Sequence, residues 1–359
     1  MSKTVCIIGG GIFGMTTAFE LNDDKVIVIE KNSELLRGAT FANHNRHHYG
    51  YHYPRSKETA LQCLESRNEF EAVYGKACFR DFVNYYCIGR ENTKTSPEEY
   101  ISFCKSINLE YEIVDPPTNL INKNKIDLCI KAFEPVYSFS TLQDIVLDKL
   151  KMKKNIDVRL NQEVIGGKIL ENGKKRVLVS DEFGKDYEIE VDVIINATYS
   201  FYNNFCSMFN FKRQNFQYNI QELNVIKLPI KKPVGITIQD GPYPSFLPFG
   251  DTGLYLLAHV ETSQLKREVS TNKTPLSSRT NILESNWENT LKECSKYLPI
   301  LDKCTYKYSI FVDRVVDACR LKDDSRLTEI RSHGNNIWSI FSAKVITCVS
   351  TARTLAKSI

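Results

Sequence analysis

Thr4-Val5-Cys6-Ile7-Ile8-Gly9-Gly10-Gly11-Ile12-Phe13-Gly14 is the stretch whose reading decides the fold. Its first five residues are β-branched or apolar, the pattern of a strand buried on both faces. A GxGxxG turn follows at Gly9, Gly11 and Gly14, and Met15-Thr16-Thr17-Ala18-Phe19-Glu20-Leu21 continues as a helix. A second buried strand, Lys25-Val26-Ile27-Val28-Ile29, ends in Glu30 and Lys31. Each part has a physical role. Gly9 permits a tight turn, Gly11 lets backbone approach a pyrophosphate, and Gly14 allows the helix to pack closely on the strand. The N–H groups of the first helical turn, at Ile12 and Phe13, present partial positive charge to phosphate. Glu30 lies 21 residues beyond Gly9, the place from which a carboxylate accepts hydrogen bonds from ribose hydroxyls. Strand, turn, helix, strand and acid in that order predict a dinucleotide-binding unit.

The next segment bears on which dinucleotide. A simple NAD domain proceeds to another regular strand–helix unit. Here residues 31–56 are polar and dense in Gly, Asn, His and Arg, as suits a chain that follows an extended cofactor with small residues where backbone passes close to it.

Gly38-Ala39-Thr40, followed by Asn45, His48, Gly50, Tyr53 and Ser56, resembles the corresponding region of the FAD-dependent oxidoreductases of the D-amino-acid oxidase superfamily. That group includes glycine oxidase, sarcosine oxidase, glycerol-3-phosphate dehydrogenase and L-2-hydroxyglutarate dehydrogenase. Val191-Asp192-Val193-Ile194-Ile195-Asn196-Ala197-Thr198-Tyr199 is similar to the family's second cofactor strand, with Tyr199 standing where glycine is usual. Ile340-Phe341-Ser342-Ala343-Lys344-Val345-Ile346-Thr347 resembles its last cofactor turn, with Ala343 in place of glycine. The resemblance implies an α/β fold: a Rossmann-like FAD-binding domain with a second, mainly antiparallel α+β substrate domain. It implies non-covalent FAD, held by the opening motif together with Ala39, Thr40, Asn45, Arg46, His47, Val164, Ala197, Thr198, Tyr199, Lys344, Val345, Ile346 and Thr347. It also implies a hydride passing from a small, anionic amine or hydroxy compound to the flavin, with oxygen or another molecule as electron acceptor. An NAD-linked dehydrogenase and a flavin-binding scaffold without catalysis are the alternatives.

Composition narrows the classes further. Of 359 residues, 47 are Lys or Arg and 43 Asp or Glu, a net charge of +4. That balance is too even for a nucleic-acid binder. No run of eighteen apolar residues predicts a spanning helix, and the opening residues lack a signal-peptide pattern, so a cytoplasmic enzyme is expected. The eleven cysteines form no CxxC pair and read as reduced, mostly buried thiols. Their spacing, like that of the histidines, predicts no metal site.

Patterning predicts helices over 56–74, 141–151 and 281–297, a helix capped by Ser96 with Pro97 at its first position, and a closing helix. Strands are expected over 82–88, 157–161, 164–168, 218–228, 235–239, 246–248 and 254–260, a hairpin over 175–180 and 186–195, and an exposed loop over 269–279. The cofactor domain is expected from 1–85, 139–205 and 320–359, and the substrate domain from 86–138 and 206–319.

Four of the six histidines fall within 44–52, and imidazole titrates near neutrality. His44-Asn45-Arg46-His47-His48 and Tyr51-His52-Tyr53-Pro54-Arg55 therefore supply the candidates for chemistry. Through the resemblance His48 is the candidate base, with His52 and Arg55 as candidates for holding an anion. Tyr51, Tyr255 and Arg320 are candidate substrate contacts. Arg314 and Arg326 offer further guanidinium groups for a carboxylate.

Overall fold

The computed structural model describes residues 2–321, 325–342 and 344–359; Ala343 lies outside them. Thr4–Ile8 sits inside a six-stranded sheet. The strand order is Glu329–Ser332, Ile337–Phe341, Val193–Asn196, Thr4–Ile8, Lys25–Ile29, Ile156–Arg159, parallel except for the first pair. Alternation feeds two cores. Val5 and Ile7 join one with Met15 and Val349 from the helices Ile12–Glu20 and Cys348–Ala356. Cys6 and Ile8 join the other with Tyr202 and Phe205. Covered on both sides, the strand reads as continuously apolar.

The turn after it depends on absent side chains. Gly9 has φ +106°, and a Cβ on it would stand 2.8 Å from the Ala197 carbonyl oxygen. A Cβ on Gly14 would stand 2.0 Å from the Gly9 carbonyl oxygen, so the helix sits against its own turn at a distance only glycine permits.

A larger, mainly antiparallel sheet lies beyond. It runs Gln264–Ser270, Phe216–Lys227, Tyr255–His259, Pro244–Pro248, Val234–Gln239, Val83–Gly89, Ile126–Ala132, Tyr111–Ile113, and Thr305–Asp317 pairs along the whole of Phe216–Lys227. The mixed fold with two distinct sheets agrees with the expected class. Val83–Gly89 pairs entirely within this second sheet, so the expected boundary at 85 falls inside a strand.

Most expected elements form. Lys57–Tyr74 is helical, and Ser96 makes a reciprocal capping box with Glu99 ahead of Pro97–Ser106. The differences have local causes. The strand expected over 186–195 divides at Asp192. Its carboxylate accepts from Thr4 N–H at 2.8 Å and its own N–H donates to the Thr4 carbonyl. Asp186–Val191 therefore stays in a three-stranded hairpin sheet while Val193–Asn196 enters the parallel sheet. The loop expected over 269–279 begins inside the strand Gln264–Ser270, and the helix expected over 281–297 contracts to Trp287–Ser295. Thr305–Asp317, thirteen residues long, has no counterpart in the sequence reading. Eight of the eleven cysteines are buried, and burial pushes the Cys6 and Cys348 thiols up to about 12. Among the described residues no helix is long and apolar enough to cross a membrane.

Tyr199 ties the two sheets together. It adopts φ +51°, the left-handed conformation that glycine takes freely. Its hydroxyl accepts from Val315 N–H at 3.1 Å and donates to the Val315 carbonyl at 3.3 Å. Val315 lies opposite Tyr218 across the strand pair, and both its polar backbone groups are turned outward, as at a non-hydrogen-bonded antiparallel pair. One phenol thus satisfies a strand edge.

Gly14→Ala is expected to destabilise the protein by about 1–3 kcal/mol in chemical denaturation, because backbone must move to admit the methyl group. Tyr199→Phe is expected to cost about 1–2 kcal/mol, one to two net hydrogen bonds, and to speed hydrogen exchange at the Val315 amide. Unchanged exchange there would remove the strut.

Candidate active site

One cavity of about 1030 Å³ runs from the glycine turn to the face of the second sheet. At its first end Gly9, Gly11, Ile12, Phe13, Glu30 and Lys31 line the wall. A Cβ on Gly11 would meet only the Thr40 hydroxyl, at 3.5 Å, so the space there is cavity that a side chain would fill. The first-turn N–H groups have no partner within the helix. The Thr40 hydroxyl takes that of Ile12 at 3.1 Å. The Glu30 carboxylate is buried and fixed: one oxygen accepts from Gly10 N–H at 2.7 Å, the other from the Asn32 backbone and amide at 2.9 and 2.7 Å. Lys31 lies 3.6 Å over the Phe201 ring, and burial lowers its pKa. This is an electropositive turn with a carboxylate set beyond it, the chemistry that a pyrophosphate and a ribose require.

Ala39, Thr40, Val164, Ala197, Thr198, Tyr199 and Val345 line the middle of the cavity. At the far end His44, Arg46, His48, His52, Tyr53, Arg55, Arg314, Arg326 and Lys344 converge from four separate parts of the chain. The His44 Nε2, His48 Nδ1 and His52 Nδ1 atoms are buried without a hydrogen-bond partner. Burial, reinforced by neighbouring cations, holds all three imidazoles well below their usual pKa, so they are neutral at physiological pH. Burial and then Arg46 lower Lys344 to about 7, and its Nζ lies 4.4 Å from the Tyr53 ring centre. Burial also lowers Arg314, and two of the groups acting on it are the cations Arg326 and Arg46. Orphaned imidazole nitrogens and crowded cations are costly to bury. A bound anionic group would offset the crowded cations, and its oxygens or nitrogens could pair with imidazole nitrogens that face the cavity.

The sequence candidates separate cleanly on this geometry. His48, His52 and Arg55 all reach the cavity, although Arg55 is committed to Asp240, its Nε donating at 2.7 Å. Asn45 and His47 do not line it. Asn45 is buried at φ +52° and shapes the turn, while His47 hydrogen-bonds Glu71 at 3.0 Å and packs on Phe70. Gly14, Ile346 and Thr347 also stand behind the wall. Thr347 shares a hydrogen bond with Thr328 and Ile346 is core.

The three substrate-contact candidates fall elsewhere. Tyr51 stacks on Tyr86 and gives its hydroxyl to the Glu110 carbonyl. Tyr255 packs against Phe246 inside the second sheet. Arg320 pairs with Glu329 at 2.8 Å. Arg314 and Arg326 occupy the wall instead.

Glu134 was not legible. It follows the strand Ile126–Ala132, is 2% exposed, and places Oε1 3.7 Å from His48 Nδ1 and 4.0 Å from Arg46 Nη1. No motif marks it, since its neighbours are distant in sequence.

The family model for FAD-dependent oxidoreductases (DAO) matches residues 4–338. Two curated relatives, the FAD-dependent monooxygenase kojA of Aspergillus flavus and its probable counterpart in Aspergillus oryzae, are 26% identical over 288 residues. The match takes in 71% of this chain and 61% of theirs. The fold is shared with glycine oxidase from Geobacillus kaustophilus (TM-score 0.74, 11% identity, 99% of this chain and 93% of that one). It is shared also with FAD-bound L-α-glycerophosphate oxidase from Mycoplasma pneumoniae (TM-score 0.76, 16% identity, 99% and 94%). With the family model spanning the glycine turn, both sheets and most of the cavity wall, the chain belongs to the FAD-dependent oxidoreductases of the D-amino-acid oxidase family, and FAD is its cofactor.

Proposed function

We propose that the protein oxidises a small anionic amine or hydroxy compound, such as an amino acid, a hydroxy acid or a sugar-derived acid, at the C–H bond beside its nitrogen or oxygen. The observation that carries this reading is the single cavity joining the glycine turn to a cluster of buried cations and neutral imidazoles. When bound, FAD supplies the hydride acceptor, and its electrons leave afterwards to oxygen or another acceptor.

The chain's own residues do the rest. Gly9, Gly11 and the first turn from Ile12 to Phe13 receive the pyrophosphate, and Glu30 receives the ribose. Arg314 and Arg326 orient the substrate's anionic group. Guanidinium suits a carboxylate or phosphate because it can offer two parallel N–H donors. The imidazole of His48, kept neutral by burial, takes the proton from the substrate hydroxyl or amine as the carbonyl or imine forms. His52 lies beside it with ring centres 5.9 Å apart and lines the same pocket. Lys344 contributes a positive charge whose presence depends on pH.

The purified protein is expected to be yellow, and anaerobic mixing with a panel of amino and hydroxy acids is expected to bleach the flavin with at least one of them. A flavin that no compound reduces would favour a binding scaffold. His48→Ala is expected to slow reduction by about 10²-fold or more. Lys344 binds its proton below about pH 7 and loses its charge above it. Acetate binding, followed by flavin absorbance, is therefore expected to weaken by up to about tenfold per pH unit above that point. Lys344→Met should flatten the dependence.

A further inference from the structure

We infer that Glu134 holds His48 in one tautomer, with Nδ1 protonated and the Nε2 lone pair directed to the cavity side. Glu134 is thereby a positioning residue for the base, an inference that rests on the reading of His48 as proton acceptor.

The surroundings of Glu134 make it an acceptor. Its Oε2 accepts from Tyr49 N–H at 2.8 Å and its Oε1 accepts from the Tyr86 hydroxyl. Tyr86 in turn takes a hydrogen bond from Arg46 Nη1 at 2.9 Å. Both carboxylate oxygens therefore already act as acceptors, Arg46 Nη1 lies 4.0 Å from Oε1, and His48 Nδ1, 3.7 Å from the same oxygen, faces an acceptor. An imidazole nitrogen in that position is stabilised as N–H rather than as a lone pair. On the other side of the ring Nε2 lies 3.4 Å from the hydroxyl of Tyr53, a cavity-lining residue. A hydroxyl donates readily to a lone pair, and a substrate O–H or N–H reaching that nitrogen meets the same lone pair.

The hydrogen bond to Tyr53 is long and the 3.7 Å separation from Glu134 is not yet a formed one; such contacts tighten when substrate completes a site. The carboxylate also answers the charge problem. The cations acting on His48 are Lys344, Arg46 and Arg314, with the imidazole of His47 alongside, and they disfavour an imidazolium. Burial raises the pKa of Glu134, while Arg46 and the hydrogen bonds from Tyr86 and Tyr49 favour its charged form; 3.7 Å from Nδ1, it is the carboxylate placed to offset those cations when the proton arrives. The logic is that of an acid orienting a histidine base without itself taking the proton.

The test is ¹⁵N NMR of the FAD-bound, histidine-labelled protein, with His48 assigned by the signal lost in His48→Gln. The expected wild-type spectrum shows Nδ1 as N–H and Nε2 as lone pair, in excess of ten to one. Glu134→Gln keeps the shape and the acceptor for Tyr49 but offers Nδ1 an amide donor. It is expected to reverse the tautomer ratio by more than tenfold and to lower the His48 pKa, since the carboxylate that favours imidazolium is gone. A wild-type Nε2–H tautomer, or a ratio unmoved by Glu134→Gln, overturns the inference. If that variant does not fold, the wild-type spectrum alone decides. An Nδ1–H imidazole combined with an unchanged reduction rate in His48→Ala would sink the base assignment while leaving the hold of Glu134 on the ring in place.

Discussion

Buried positive charge is the constraint around which one end of the cavity is arranged. Arg46, Arg314 and Lys344 gather at one end of the cavity with three neutral imidazoles. A cation withdrawn from water is stable only when paired, hydrogen-bonded or neutralised. The structure uses all three means. Arg46 gives its guanidinium to Tyr86 and faces Glu134, Arg55 is paired with Asp240, and Lys344 has its pKa drawn down to about 7. Arg314 is left beside further positive charge from Arg326 and Arg46, the feature on which the proposal of an anionic substrate rests.

The two sheets supply the frame for that charge. The parallel sheet brings the glycine turn, Ala197 and the Lys344 turn to one edge because their strands are neighbours: Thr4–Ile8 beside Val193–Asn196, and that strand beside Ile337–Phe341. Strand ends of a parallel sheet open on a common crevice, where ligands of such folds sit. The antiparallel sheet contributes Arg314 from a strand whose outer edge is held by Tyr199. Tyr199 thus adopts a backbone conformation that glycine takes freely and uses its side chain to bind the opposite sheet. The strain of a left-handed tyrosine, of order 1–3 kcal/mol, is set against two hydrogen bonds and the stacking of its ring on Phe341.

Much of this could be read along the chain, and the reason is locality. The opening strand–turn–helix, the capping of Pro97–Ser106 by Ser96 and the helix Lys57–Tyr74 are each specified by residues within a few positions of one another. The acid at Glu30 and the lysine at 344 were visible because fixed motifs place them. The long strand Thr305–Asp317 was not. Its β-branched and aromatic residues favour a strand, but its outward edge is satisfied by a tyrosine more than one hundred positions earlier.

The side chains around the reacting end show the same division. The histidine-rich run identified itself by composition, yet it did not reveal that His47 turns back to Glu71 while His44, His48 and His52 face the cavity. Which arginines reach the site was equally closed to pattern, since Arg314 and Arg320 differ only in what the distant chain brings beside them. Arg320 meets Glu329 and is satisfied, whereas Arg314 meets Arg326, Arg46 and Tyr199. Linear order carried the nucleotide cradle, because hydrogen bonds across a short turn need only neighbouring residues. The charge balance of the pocket, with Glu134 behind His48, arose from contacts between segments that only folding brings together. Electrostatic energy depends on separation in space, which the order of residues does not contain.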